Sequence, residues 1–244
     1  MLGFLKEKKS NTPPPLSVDV VLCINCSGCM NGVLYSLQEN ISHFYDDIIK
    51  RVEEKRGKFS YIDQFRVRVI AFRDFSADGE IALKTTDFLK LPKEAGAFEK
   101  FVTSLTVEGG GDEADDGLEA LALAIKSDWN TKSGARQIIV MLTDSEAHPL
   151  RFGEDSPFYP EGMPKDFNEL TDWWECGKYI DNKNKRLILF APEDKKVDSS
   201  VSWDDISLNL SNVLHFPTDG LINNFDPEYE DIINVLSHSI KLGV

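Results

Sequence analysis

Basic residues are scarce in this chain relative to acidic ones. Lysine and arginine number 27 against 41 aspartates and glutamates, which gives a net charge of −14 at neutral pH. Proteins that bind nucleic acid present a basic surface to the phosphate backbone, so this balance disfavours a nucleic-acid partner. It favours instead a protein partner whose contact surface is basic.

Long apolar runs are absent as well. No segment approaches the roughly 18 apolar residues that a membrane-spanning helix needs, so we expect no membrane association. Residues 1–17, MLGFLKEKKSNTPPPLS, lack the extended apolar core of a signal peptide. They are predicted to form a basic, proline-containing tail ahead of a single domain at 18–244.

Cysteine is also rare, with four in 244 residues, yet Cys23, Cys26 and Cys29 lie close together. Secreted disulfide frameworks space their cysteines differently, so we predict reduced thiols and a cytoplasmic protein. Three interpretations are open. Cys26 and Cys29, with His148, could bind zinc; Cys26 and Cys29 could be a redox pair; or the cysteines could be incidental.

Apolar segments rich in β-branched residues alternate with segments of helical periodicity. The predicted strands are 18–25, 65–74, 80–86, 135–144, 186–192 and 212–218, and the predicted helices are 30–55, 94–104, one opening in the turn at 109–116, 167–179, 203–210 and 227–242. This order predicts an α/β fold with a doubly wound, mostly parallel sheet and helices on both faces. The short connection before 80–86 predicts one antiparallel edge strand.

Polar residues follow the predicted strands at their carboxyl ends, where doubly wound sheets bind ligands. The first strand is followed by NCSGCM, the second by Arg73 and Asp74, and the fourth by Thr143-Asp144-Ser145. A glycine turn followed by acidic residues, GGGDEADD, opens a helix before the fourth strand. The predicted binding surface therefore comprises 25–30, 73–78, 109–116 and 144–148.

These segments, in this order, resemble the von Willebrand factor A (vWA) family. The family's Asp-x-Ser-x-Ser is matched from Asn25 to Cys29, its threonine in a glycine turn at Gly111, and its Thr-Asp-Gly from Thr143 to Ser145. The combination of FRDF, GGGDEADD and LTD is most similar to the subgroup found with α-kinases and in bacterial stress operons. The resemblance implies a vWA fold over residues 18–242 and a role in binding another protein.

The resemblance also implies a metal-ion-dependent adhesion site for Mg²⁺ or Mn²⁺. Three positions depart from the family pattern: Asn25 replaces an aspartate, Cys29 a serine and Gly111 the threonine. Hard cations prefer oxygen ligands, so the departures predict a weakened or lost site and no certain cofactor. In the alternative, Mg²⁺ or Mn²⁺ is still held by the remaining set of Asn25, Ser27, Asp112 and Asp144.

We therefore predict a non-catalytic scaffold or adaptor, whose partner is a kinase, a phosphatase or a stress-system component. The predicted contact residues are Asn25, Ser27, Cys29, Arg73, Asp74, Gly111, Asp112, Asp115, Asp116, Asp144 and His148. Without a cation, the carboxylates of this set are expected to crowd one face uncompensated and to favour an arginine or lysine of the partner.

Four of these contact residues form two pairs that also have a structural interpretation. Asp112 and Asp115 have the spacing of a helix N-cap and an acidic residue in the first turn. Arg73 and Asp74 are expected to brace the neighbouring loops through an ion pair or backbone hydrogen bonds.

Overall fold

The computed structural model describes residues 16–28, 30–56, 62–132, 134–193, 201–218 and 227–242. Strands and helices alternate along these residues in the order β1 (Leu16–Asn25), α1 (Asn31–Asn40), α2 (Phe44–Arg56), β2 (Ile62–Phe72), α3 (Phe75–Asp78), β3 (Leu83–Thr85), β4 (Leu89–Leu91), α4 (Ala95–Thr103), β5 (Ala114–Asp115), α5 (Gly117–Ile125), β6 (Arg136–Leu142), β7 (Glu146–Ala147), α6 (Phe167–Glu175), β8 (Lys185–Pro192), α7 (Trp203–Asn209), β9 (Val213–Thr218) and α8 (Tyr229–Leu242).

The main sheet has the order β3-β2-β1-β6-β8-β9, and β4 also pairs with β2. β1, β2, β6, β8 and β9 are parallel, with Val20 opposite Val67 on one side and Ile138 on the other. β3 and β4 are antiparallel to β2 and form one edge of the sheet as two short strands. The predicted mostly parallel sheet with an antiparallel edge is confirmed.

Side chains of β1 alternate between two cores because successive residues of a strand point to opposite faces. Leu22 packs in a core with helices α1, α2, α4 and α8, whereas Val21 and Cys23 pack in a core with α5, α6 and α7. The helices therefore cover both faces of the sheet, as predicted. A strand buried on both faces needs a nearly continuous apolar sequence, which β1 has.

Several element boundaries differ from the prediction. β2 begins at Ile62 rather than at 65, and the strand expected over 80–86 is only Leu83–Thr85, after a 3₁₀ turn at Gly79–Ile81. The helix expected over 30–55 is interrupted by a 3₁₀ turn at Ile41–His43, where the Asn40 side chain donates to the Ser36 carbonyl at 2.9 Å and so competes with regular helix bonding. α6 ends at Glu175, before Gly177 with its φ of 67°, rather than near 179. β1 begins at Leu16, inside the predicted tail, and residues 1–15 of that tail lie outside the described residues.

No helix among the described residues combines the length and apolar character needed to cross a membrane.

The two-core arrangement predicts a contrast between two leucines. Leu22→Ala removes a fully buried side chain from β1 and should lower the free energy of unfolding by about 2–5 kcal/mol. Leu208→Ala, at a side chain that is 82% exposed on α7, should change it by no more than about 0.5 kcal/mol. Urea unfolding followed by circular dichroism measures both, and equal losses in the two variants would contradict this packing.

Candidate functional site

Four loops meet at the carboxyl ends of β1, β2 and β6. The turn before α5 is joined to the loop after β6 by the two-residue parallel pairing of β5 with β7, in which Asp115 lies opposite Ala147. The His148 backbone N–H extends this pairing by donating to the Asp115 carbonyl at 2.9 Å. The acidic turn is therefore fixed to the loop that follows β6.

Arg73 holds the other loops together from inside. Its side chain is fully buried and donates to the carbonyls of Cys26 and Glu108, each at 3.0 Å, and of Ile81 and Thr106, each at 2.6 Å. The predicted bracing through backbone hydrogen bonds is confirmed. Because the guanidinium is buried, Arg73 acts on a partner only through the loops that it positions.

Asp74 is likewise buried and caps the short helix α3. Its Oδ1 accepts from the Ser76 backbone N–H at 2.7 Å. The opposite end of α3 is tied to the glycine turn because Asp78 Oδ2 accepts from the Gly110 N–H at 3.0 Å. α3 therefore lies directly against that turn.

Gly111 is required by this close approach. A Cβ at Gly111 would lie 2.6 Å from Asp74 Oδ2 and 2.8 Å from the Ala77 Cβ. Both separations are shorter than any ordinary contact. The position matched to the family's threonine therefore has no space for a side chain unless α3 moves.

Asn25, at the end of β1, has an amide whose orientation is fixed by its neighbours. The Ser27 backbone N–H can only donate, and it donates to Asn25 Oδ1 at 2.8 Å. The amide nitrogen must then face the other way. It donates to Asp115 Oδ2 at 2.9 Å, to Thr143 Oγ1 at 3.1 Å and to Ser145 Oγ at 2.8 Å.

Asp115 is the common acceptor of this network. Besides Asn25, its Oδ2 accepts from Ser27 Oγ at 2.5 Å and from Ser145 Oγ at 2.6 Å. Its Oδ1 is buried and has no hydrogen-bond partner among the described residues. We refer to Asn25, Ser27, Asp115, Thr143 and Ser145 as the amide network.

Asp112 belongs to a different group of side chains. It is exposed; its Oδ1 accepts from the Ala114 backbone N–H at 2.9 Å and contacts His148 Nε2 at 3.1 Å. The predicted capping by Asp112 and Asp115 is wrong, because α5 begins at Gly117 with Asp116 at its N-cap. The same local spacing instead forms a turn that leads into β5.

His148 pairs with two aspartates. Its Nδ1 contacts Asp116 Oδ1 at 3.2 Å, and Asp116 Oδ2 accepts from the Phe75 N–H at 2.5 Å. Burial alone would lower the pKa of His148, but its bonds to Asp116 and Asp112 and their negative charges outweigh this and raise the pKa to about 9. The expectation of uncompensated carboxylates is therefore wrong for this pair, since a protonated His148 lies between them.

Two of the clustered cysteines, Cys23 and Cys26, are buried in the packed interior. Cys26 and Cys23 belong to the cores on opposite faces of the sheet. Burial raises the pKa of the Cys26 thiol to about 11, although Arg73 opposes the shift, and a protonated thiol is a poor nucleophile. Cys29 lies outside the described residues. Zinc binding by Cys26 and His148 is disfavoured because both ring nitrogens of His148 contact aspartates.

No protein-family model matches the sequence, and no curated protein matches it either. Solved structures do match. The pilus adhesin SpaC of Lactobacillus rhamnosus GG superimposes with a TM-score of 0.56 at 12% identity, covering 96% of this chain and 33% of SpaC. The vWF domain of the type V pili tip protein Mfa5 of Porphyromonas gingivalis superimposes with a TM-score of 0.52 at 13% identity, covering 95% of this chain and 99% of that domain.

The chain has a vWA-like fold. It spans about a third of the length of SpaC, and at these identities the likeness concerns the fold alone.

The vWA-like fold raises the question of whether these loops fit a divalent cation. Among the described residues two features favour a cation: the unpartnered Asp115 Oδ1, and the buried cluster of Asp74, Asp116 and His148, which each offer one ligand atom within 4.8 Å of one another. The Asn25 amide opposes it, because its N–H groups point at the oxygens of Asp115, Thr143 and Ser145, and an N–H group cannot be a ligand. The amide network therefore does not fit Mg²⁺ or Mn²⁺ in this arrangement, and in the cluster His148 Nδ1 already contacts Asp116 Oδ1.

The residues predicted as ligands make different contacts in the structure. Ser27 contacts Asp115, whereas Asp112 contacts His148. Asp144 lines a small cleft with Met30, and its Oδ2 would lie 3.8 Å from a Cβ on Gly28.

Sequence reasoning matched Thr143 and Ser145 to the family motif and placed Ser145 in the binding surface at 144–148, but it named neither as a contact residue or a ligand. Both flank Asp144 in the segment matched to the family's third motif. Their hydroxyl groups, directly after a buried strand, were the available signal.

The His148 pairing predicts a pH dependence of stability. Because the folded pKa of about 9 exceeds the unfolded value of 6.5, protonation of His148 stabilises the fold below pH 6.5, and this contribution is lost as pH rises through 9. Glu119 also makes the fold less stable as pH rises, but over a lower range. Burial, and after it the charge of Asp116, raise the pKa of Glu119 from 4.5 to about 7. We expect the free energy of unfolding to fall by on the order of 1–3 kcal/mol between pH 6 and 9.5.

Chemical denaturation across this pH range measures the dependence. His148→Gln should flatten the part of the curve above pH 6.5. His43→Gln, at an exposed histidine, is the matched control and should leave the curve unchanged. A wild-type slope that persists in His148→Gln would contradict the assignment.

Proposed function

We propose that the chain is a non-catalytic protein-binding module, a scaffold or adaptor, that holds its partner at the carboxyl-end face of the sheet without a bridging cation. The observation that carries this proposal is the orientation of the Asn25 amide. Its nitrogen contacts Asp115, Thr143 and Ser145, oxygen groups from the turn before α5 and the loop after β6. The loops of the face are thereby held in place by hydrogen bonds to a neutral amide rather than by a cation.

Burial divides the predicted contact residues into two sets. Asn25, Arg73, Asp74 and Asp116 are at most 1% exposed, so they position the loops rather than touch a partner. Asp112 has a side chain that is 56% exposed and is available for contact.

Asp112 and its exposed neighbour Glu113 therefore present the negative charge of the turn to solvent. We propose a partner with a basic contact surface, consistent with the net charge of −14. A kinase, a phosphatase or a stress-system component in the cytoplasm is the partner class that the family resemblance suggests.

A second candidate function is divalent-cation-dependent binding. It is favoured by the buried, unpartnered Oδ1 of Asp115. It requires the Asn25 amide to rotate, and the Ser27 backbone N–H would then lose its acceptor. The redox alternative is disfavoured by the high pKa of the buried Cys26.

Binding in the presence of a chelator tests the proposal. The partner is captured by the wild-type chain from its native host in EDTA, identified by mass spectrometry, and measured by surface plasmon resonance. Asp112→Asn combined with Glu113→Gln should weaken binding by about three- to tenfold, mainly by slowing association, and reduce its salt dependence. Replacing EDTA by Mg²⁺ should leave the affinity unchanged.

Glu99→Gln combined with Asp128→Asn is the matched control, because it removes the same charge at exposed positions remote from the face. This control should retain wild-type affinity. Abolition of binding by EDTA, or equal losses in the two double variants, would contradict the proposal.

A further inference from the structure

Two half-exposed phenylalanines lie on one loop beside the acidic turn. Among the described residues, the large apolar side chains exposed to solvent are Tyr35, Phe152, Phe158 and Leu208. Phe152 and Phe158 are each 48% exposed, and both belong to the segment between β7 and α6. Large apolar side chains left exposed on one loop often mark an interaction surface.

Both rings lie beside elements of the carboxyl-end face. Phe152 stacks on His148 with ring centroids 4.0 Å apart. Phe158 would lie 3.7 Å from a Cβ on Gly79, directly after α3. Between them Gly153 packs against α3 so closely that a Cβ there would lie 2.7 Å from the Phe75 Cβ. The loop therefore packs closely against α3.

The loop is held in place by a buried carboxylate. Glu119 Oε1 accepts from the Arg151 backbone N–H at 2.8 Å and from the Tyr159 hydroxyl at 2.7 Å, and Tyr159 packs edge-on against Phe75. Arg151 has a φ of 72°, which is costly for a residue with a side chain and persists only where its surroundings enforce it. The backbone on both sides of the two phenylalanines is thus anchored, while their rings remain half in solvent.

Negative charge borders this aromatic surface. His148 connects Phe152 to Asp112, whose carboxylate is exposed. Glu154 and Asp155 on the loop itself are exposed as well, although Glu154 pairs with Arg151. An apolar ring beside an exposed carboxylate matches an arginine, which stacks on aromatic faces and pairs with carboxylates.

We propose that Phe152, Phe158 and Asp112 form an aromatic–acidic surface that binds a partner segment in which an arginine adjoins an aliphatic side chain. This inference rests on the proposed function and names the chemistry that the face recognises. The aliphatic side chain contacts the phenylalanine rings. The guanidinium pairs with Asp112 Oδ2, because Asp112 Oδ1 already contacts His148 and the Ala114 N–H. The rings supply rigid contact area of the kind that dominates interface energies.

The probe is a capped peptide, Gly-Leu-Arg-Leu-Gly, titrated into the ¹⁵N-labelled full chain in EDTA. We expect saturable amide shifts confined to residues 109–116 and 148–160, with an affinity on the order of millimolar. Replacing the arginine by glutamine should weaken binding by about fivefold or more, and replacing it by glutamate should abolish the shifts.

Phe152→Ala combined with Phe158→Ala should weaken peptide binding by about tenfold. The matched control is Tyr35→Ala combined with Leu208→Ala, which removes two exposed apolar side chains elsewhere and should have no effect. If the double phenylalanine variant melts below the wild type, Phe158→Ser alone is used, and a loss of about threefold is then expected.

The outcomes separate this inference from the proposed function. Absence of saturable shifts, shifts outside the two segments, or equal shifts with the glutamate peptide overturns the aromatic–acidic surface. If the captured partner is then still lost in Asp112→Asn combined with Glu113→Gln, the proposed function stands without it. If the partner binds all variants equally, the proposed function fails instead.

Discussion

One carboxylate oxygen joins the loops of the carboxyl-end face. Asp115 Oδ2 accepts from Asn25 at the end of β1, from Ser27 just after β1 and from Ser145 after β6, while the Asp115 backbone pairs with β7. Hydrogen bonds to a carboxylate are shorter and stronger than those between neutral groups. The position of the acidic turn, and with it the exposed Asp112, follows from this contact.

The amide network and a divalent-cation site would both use the oxygens of these loops. They differ in whether a coordination position is left for a partner. A divalent cation attracts oxygen ligands from several loops and leaves a coordination position for an acidic group of the partner. The amide nitrogen of Asn25 attracts Asp115, Thr143 and Ser145 in a similar way but offers no such position. Under the proposed function, exposed side chains then make the contacts with the partner, and because these are acidic, the proposal favours a basic partner group.

Much of the fold could be predicted from local patterns, because a strand buried on both faces has a nearly continuous apolar sequence. β1 shows this, and its observed end at Asn25 agrees with the prediction. The parallel topology then placed the polar segments after β1, β2 and β6 at one edge. Those predictions required only periodicity and the order of elements.

The contacts within the site could not be predicted in the same way, because they depend on pairs distant in sequence. The sequence predicted that Asp112 caps a helix, whereas the structure pairs it with His148, which lies 36 positions later. β5 and β7 have two residues each, too few to show a period. The exposure of Phe152 and Phe158 depends on Glu119 anchoring a loop that has no regular pattern.

Calorimetric titration of Mn²⁺ into the wild-type chain and into Asn25→Asp tests most directly whether the amide takes the place of a cation. The wild type should show no site tighter than roughly millimolar, since the Asn25 amide presents N–H groups where a ligand would have to present a lone pair. Asn25→Asp replaces that donor by a second carboxylate beside Asp115 and should bind Mn²⁺ at least about tenfold more tightly, with the gain lost on adding Ser27→Ala. Micromolar binding by the wild type that Asn25→Asp leaves unchanged would contradict the metal-free site.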